Sequence, residues 1–163
     1  MSRDECTSQL RASLGNVKLD MLVNNAGILT EESLEDLNMD RILAQIQVNT
    51  LGPLRVTSSL LSNLKDGGKV FIITSRMGSI ADNSSGEYYG YRMSKAAVNM
   101  VAKNLAIDLK PRGMQYPLYF NYIMGNNILN LLKTVCRHYG AGASPGNGGN
   151  GHDRGVRGWD KFC

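Results

Sequence analysis

Apolar residues recur weakly at every fourth position near the start, at Cys6, Leu10 and Leu14, which predicts a helix over 4–14. KLDMLVNN (18–25) is a short apolar run stopped by two asparagines and then glycine, the pattern of a buried strand. From Leu34 to Leu64 apolar residues return at threes and fours: Ile42, Leu43, Ile46, Leu51, Leu54, Val56, Leu60, Leu61, Leu64. That spacing predicts helix, in one long or two shorter pieces, ended by Asp66-Gly67-Gly68. KVFIIT (69–74) reads as a second strand running into Ser75, and 76–87 as a polar loop. Tyr91 to Leu109 predicts a strong helix, with a face made of Ala96, Ala97, Met100, Val101, Asn104, Leu105 and Leu109, stopped by Lys110-Pro111-Arg112-Gly113.

Strands separated by helices of this length imply a parallel α/β sheet. Ligands of such sheets sit beyond the carboxyl ends of the strands. Both strands end there in polar residues, Asn24 and Asn25 for one and Ser75 for the other. After Gly113 the pattern changes. The segment 114–139 is apolar without a clean period, with a short helix expected over 127–138. Residues 140–163 hold 8 glycines and almost no apolar content, so this tail is expected to be disordered.

The chemistry concentrates in EYYGYRMSKAA (87–97). Residues four apart share a helix face, which pairs Tyr91 with Lys95, Tyr89 with Met93 and Tyr88 with Arg92. An ammonium beside a phenol favours the phenolate, so Lys95 is expected to lower the pKa of Tyr91 and fit it for proton transfer near neutral pH. Tyr88 has the same electrostatics but precedes the helix. Three further features give the Tyr-x-x-x-Lys spacing its weight. LVNNAG ends a strand, and Gly27 lets backbone approach a ligand. IITS ends the next strand at Ser75. VNTLGP (48–53) lies inside the long helix, where Pro53 denies the Asn49 carbonyl its partner, so Asn49 can hold a water.

LVNNAG, VNTLGP, IITS and YRMSK, in this order, resemble the short-chain dehydrogenase/reductase family over about residues 10–113. The stretch from Thr74 to Ala97 is most similar to the subgroup of sniffer-type carbonyl reductases and the bacterial C-factor. The resemblance implies an NAD(P)-dependent oxidoreductase passing a hydride between nicotinamide and a carbonyl or alcohol carbon. By resemblance Tyr91 is the general acid/base and Lys95 lowers its pKa and binds the nicotinamide ribose. Ser75 positions the substrate carbonyl, and Asn49 anchors a proton-relaying water. Asn24, Ala26 and Gly27, with Tyr91 and Lys95, bind the cofactor, NAD or NADP, with NADP favoured by the subgroup. Plainer roles stand beside these. Ser75 can be a strand-end cap with Ser79 as its rival, Asn49 a kink residue, and Asn24 and Asn25 stitches between strands.

The same resemblance shows what to expect missing. The family's first strand, glycine-rich turn and helix precede its Asn-Asn-Ala-Gly element, and only 23 residues precede Asn24 here. The expected fold is therefore α/β with a partial doubly wound parallel sheet, Rossmann-like but lacking the first βαβ nucleotide-binding unit, and activity is expected to be impaired. The family's Pro-Gly turn after the Tyr-Lys helix has no match either. The expected organisation is a partial Rossmann domain over 1–113, a divergent segment over 114–139 and the tail. Gly146-Asn-Gly148-Gly149-Asn-Gly151 fits a dinucleotide fingerprint but follows no strand and opens no helix.

Composition narrows the field further. The chain has 163 residues, 42% hydrophobic and 20% charged, which suits one soluble domain. Half of the +4 net charge lies in the last 27 residues, where four cations face two aspartates. Arg154-Gly155 and Arg157-Gly158 beside Trp159 are too few to predict nucleic-acid binding. Cys6, Cys136 and Cys163 show no metal spacing and suit a reducing, cytoplasmic setting. No apolar run approaches membrane-spanning length. Partners expected are a small carbonyl or alcohol substrate and either a homo-oligomer or a full-length homologue. In the non-catalytic alternative the chain pairs through the helices of 34–64 and 91–109.

Overall fold

The computed structural model describes residues 3–114 and 118–121, all within one compact unit, Met1–Asn121. The helix expected over 127–138, the tail, the glycine decoy, Cys136 and Cys163 lie outside the described residues. Helix α1 (Arg3–Leu14) leads into strand β1 (Leu19–Asn24). Helices α2 (Met39–Ile46) and α3 (Gly52–Ser59) follow, joined by a π-helical turn over Gln47–Leu51. Strand β2 (Leu64–Ser75), helix α4 (Tyr89–Asp108) and strand β3 (Leu118–Asn121) complete the described fold.

The sheet is parallel throughout, in the order β1-β2-β3. Leu22 pairs with Val70 and Asn24 with Ile72; on the other edge of β2, Ile72 pairs with Leu118 and Ser75 with Asn121. Rossmann-like α/β architecture is thus present as expected. The face of α4 that packs on β2 is offset from the one read in the sequence: Leu109 is buried and Val101 and Leu105 pack beside the core, but Met100 and Asn104 are exposed. Val98 and Ala102 bury against Ile72, and lower down Leu109 and Met114 bury with Leu64 and Val70. Phe71, which alternation sends to the opposite face of β2, is only 2% exposed, so that face is covered as well.

Three expectations are corrected. The helical stretch over 34–64 is shorter, from Met39 to Ser59, and broken by the π turn. Leu60, Leu61 and Leu64 keep a helical spacing, but Leu60 caps α3 and Leu64 already pairs with Leu19 in the sheet. Asp66-Gly67-Gly68 does not end a helix. It is the bulge that lets Leu64 and Lys69 of β2 face Leu19 and Met21 of β1, with Gly67 at φ +73. Finally, a strand does follow the Tyr-Lys helix: β3 extends the sheet past Gly113, where no strand was expected.

Candidate active site

β2 runs out at Ser75, which adopts extended backbone and caps the 3-10 turn Arg76–Gly78 by accepting from the Met77 N–H at 3.1 Å. Its hydroxyl also lies close enough to the Tyr91 phenol to favour the phenolate. The capping role and the contact with Tyr91 therefore coexist. Ser79, the rival, is buried and accepts from the Asp82 N–H, so it serves its own loop.

Lys95 is buried on α4, one turn after Tyr91. Its Nζ donates to the Ile73 carbonyl at 2.9 Å and lies 5.5 Å from the Tyr91 ring centroid. The ammonium thus sits over the ring face, within cation–π range, because its stem turns toward β2. This changes the expected electrostatics. Burial pushes the Tyr91 phenol above its ordinary pKa of 10.0, and the Ser75 hydroxyl only partly offsets that. The shift falls on Lys95 instead, whose pKa burial lowers from 10.5 to about 8. Tyr88 offers no competing site. The Glu31 carboxylate beside it is the largest influence and raises its pKa, while Arg92 pulls weakly the other way.

Asn49 lies in the π turn, where the Gly52 N–H reaches back to the Gln47 carbonyl. Pro53 cannot donate to the residue four earlier, and the widened turn accommodates that. The turn directs two side chains at α4. Asn49 Nδ2 donates to Ser94 Oγ at 2.9 Å, and Thr50 Oγ1 donates to the Ser94 carbonyl at 2.8 Å. Asn49 also brackets Ile28, accepting from its N–H and donating to its carbonyl, both at 2.8 Å. Asn49 is thus both a kink residue and the tie between α4 and the loop after β1.

Asn24 ends β1, and Ala26 and Gly27 lie at the start of that loop. Asn24 is buried and its Nδ2 donates to Thr57 Oγ1 at 3.2 Å, so the side chain stitches β1 to α3 rather than to a neighbouring strand. Ala26 and Gly27 are exposed at the strand's carboxyl end. A Cβ on Gly27 would lie 3.3 Å from Asn49 Oδ1 and 3.7 Å from Lys95 Nζ. Glycine therefore lets the loop backbone lie directly against Asn49 and the Lys95 ammonium. Ser75, Tyr91 and Lys95 are brought together, with Asn49 and Gly27 beside Lys95; Asn24 is turned inward.

Several residues escaped the sequence reading. Thr74 Oγ1 donates to Asn99 Oδ1 at 2.6 Å, and Asn99 Nδ2 donates to the Gly78 carbonyl at 3.3 Å, clamping the 3-10 turn to α4. Gly78 lies so close that a Cβ there would be 2.7–2.9 Å from the backbone and Cβ of Lys95. Gly78→Ala is expected to destabilise the chain by about 2 kcal/mol and to shift α4 against β2, read from its urea midpoint. A change within about 0.5 kcal/mol would show that the turn yields freely. Ahead of α4, Gly86, Glu87 and Tyr88 are all left-handed, at φ 68, 54 and 53. Such backbone costs non-glycine residues roughly 1–2 kcal/mol each. Arg92 holds the turn by donating from Nε to the Gly86 and Glu87 carbonyls and from NH2 to Ser85 Oγ.

Comparison with known proteins decides the family. The model of the short chain dehydrogenase family matches residues 2–123, three-quarters of the chain. The chain belongs to the short-chain dehydrogenase family. The family match runs past Gly113 and takes in β3. Among curated relatives, a 1-hydroxy-2-glutathionyl-2-methyl-3-butene dehydrogenase of Rhodococcus sp. is 46% identical over 104 residues, 64% of this chain and 46% of that protein. The C-signal protein of Myxococcus xanthus is 44% identical over 110 residues, 64% of this chain and 66% of that one. The chain thus spans about half to two-thirds of these relatives. Among solved structures, the carbonyl reductase Sniffer of D. melanogaster superposes with a TM-score of 0.64 at 26% identity, covering 72% of this chain and 53% of that one. A short-chain dehydrogenase/reductase from Burkholderia multivorans with bound NADP gives 0.64 at 30% identity, covering 72% and 52%. C-signal and Sniffer are the subgroup that the stretch around Tyr91 resembles.

Proposed function

We propose that this short-chain dehydrogenase carries the proton-handling half of an NAD(P)-dependent carbonyl or alcohol oxidoreductase. The observation that carries the reading is Lys95 Nζ over the Tyr91 ring, with the Ser75 hydroxyl beside the phenol. With its pKa at or above the ordinary 10.0, the phenol is protonated at neutral pH, the form that can donate to a carbonyl oxygen as it gains negative charge. Ser75 is placed to hold that oxygen. Lys95 uses one of its three donors on Ile73, and Gly27 lies beside its ammonium. Asn49, between the loop and α4, suits a water relay to Lys95.

The exposed Gly27 backbone beside Lys95 suits the ribose end of a nicotinamide cofactor, with Gly27, Tyr91 and Lys95 as its holders. When bound, that cofactor supplies the hydride. Relatives solved with NADP or NADPH favour NADP for this chain. Among the described residues, no glycine-rich turn between a strand and a helix offers amides to a pyrophosphate, so the 163-residue chain expressed by itself is expected to turn over poorly. The exposed, free thiol of Cys6 suits a cytoplasmic setting. The test is NADPH oxidation with a small aldehyde by this chain joined behind the amino-terminal part of the Rhodococcus relative. Turnover supports the reading, and a folded, cofactor-binding but inert chimera sinks it.

A second reading is favoured by one observation. Met93, Met100 and Ile107, spaced by seven on α4, are 53%, 62% and 58% exposed. Met39 and Leu43 on the neighbouring α2 are exposed too. This apolar surface fits helix pairing with a second copy or a full-length homologue. Met100→Lys is expected to weaken self-association at least about tenfold in sedimentation equilibrium, since it places a charge in the stripe. An unchanged equilibrium would remove these helices from any interface.

A further inference from the structure

One buried carboxylate takes no part in the proton chemistry above. Glu32, in the loop after β1, is 3% exposed. Its Oε2 accepts from the Gly90 N–H at 3.1 Å, and its Oε1 accepts from Gln45 Nε2 at 2.9 Å and from the Thr30 hydroxyl. Its backbone carbonyl accepts from the Tyr88 N–H at 2.9 Å. Glu32 therefore grips two of the residues that lead into Tyr91.

The first turn of α4 needs such a grip. A helix start leaves backbone N–H groups without partners. The usual remedy is a side chain at the residue before the helix, but that residue is the left-handed Tyr88, which makes no side-chain cap. Glu32 supplies from 58 residues away what a local cap supplies elsewhere, and its charge complements the helix dipole. Gln45 is fully buried and held in one sense, because its Oε1 accepts from the Thr30 N–H at 3.1 Å. Gly90 permits the approach: a Cβ there would lie 2.2 Å from Gln45 Nε2 and 3.0 Å from Ile42 Cα.

We infer that Glu32 is a positioning residue, which fixes the first turn of α4 and thereby holds the Tyr91 hydroxyl against Ser75. The inference deepens the oxidoreductase reading and rests on it for the importance of Tyr91. All three partners of the carboxylate donate, so an acceptor-only group is required. Glu32→Gln places an amide among three donors and leaves one of them unmet.

The test uses the 163-residue chain with 13C-labelled tyrosine, the Tyr91 resonance being assigned with Tyr91→Phe. In Glu32→Gln the Tyr91 titration midpoint is expected to fall by about half a unit or more toward that of an ordinary tyrosine, as the turn loosens and the phenol gains water. Exchange of the Gly90 amide is expected to speed up about tenfold. The double variant Glu32→Gln/Gln45→Glu restores complementarity, since the amide at 32 then donates to a carboxylate at 45 that still accepts from the Thr30 N–H. It is expected to regain at least about half of the shift. A folded Glu32→Gln chain with unchanged Tyr91 titration overturns the inference, as does a double variant that regains nothing. If Glu32→Gln does not fold, Thr30→Val removes one donor and is expected to move the midpoint the same way; a wild-type titration there overturns the inference. None of these readings needs turnover, so an inert chimera would sink the oxidoreductase reading and leave this result to stand or fall separately.

Discussion

Replacing Tyr91 with phenylalanine in the chimera is expected to lower NADPH-dependent carbonyl turnover by about 10²- to 10⁴-fold, the usual worth of a placed general acid. The substitution removes one oxygen and keeps the ring over which Lys95 sits. Ser75 loses that neighbour but keeps the Met77 N–H, so the strand end should stay in place. The cost to folding is therefore at most about 1 kcal/mol, the net worth of one hydrogen bond. Binding of NADPH, measured by calorimetry, is expected to change only a few-fold, so the loss falls on the chemical step. Retention of more than a tenth of the rate would mean that another group delivers the proton.

The second large effect concerns stability. Lys95→Met is expected to make the chain about 1–2 kcal/mol more stable near pH 7 while abolishing turnover. The sign follows from the pKa. Lys95 titrates near 10.5 when unfolded and at about 8 in the fold. Between those values the unfolded chain binds more protons, so the contribution of Lys95 to stability rises with pH. Below about 8 the cost of burying the charge is fully present. At about 1.4 kcal/mol per unit, the interval sets a ceiling of about 3.5 kcal/mol. Loss of the hydrogen bond to the Ile73 carbonyl takes back about 1 kcal/mol. The advantage of the variant should therefore shrink as pH rises from 8 toward 10.5. Urea midpoints of both proteins at matched pH values isolate this term from Tyr91, whose raised pKa acts the other way at higher pH. A variant less stable than wild type at pH 7 would show that the ammonium is well solvated in the site.

What was legible in the sequence depended on how local its cause was. Strand β1 and helix α4 were readable because their apolar spacing and stop signals lie within the elements themselves. That Ser75, Tyr91, Lys95 and Asn49 would lie near one another was readable because each stands in a short motif. The end of α3 was not, since Leu60, Leu61 and Leu64 satisfy a helical period while Leu64 is claimed by Leu19 across the sheet. Glu32 and Gln45 were invisible for the same reason: one glutamate among the acidic residues of EESLEDL carries no sign that its partner is Gly90. The direction of the Tyr91 shift was misread because spacing reveals the neighbouring charge but not the burial, and burial prevails.

The parallel register has a consequence for how the chain comes into being. Leu19 meets Leu64, and Ile72 meets Leu118, so each strand waits for a partner about 45 residues downstream. No hairpin can start the sheet, and closure of long loops must come before any ladder forms, which makes for slow folding. During synthesis β2 and α4 are complete before β3 has emerged, leaving the Ile72–Ser75 edge of β2 bare while elongation continues. Translation speed through the codons for 76–121 should therefore govern yield more than the strength of any single contact, with a chaperone most useful in that interval.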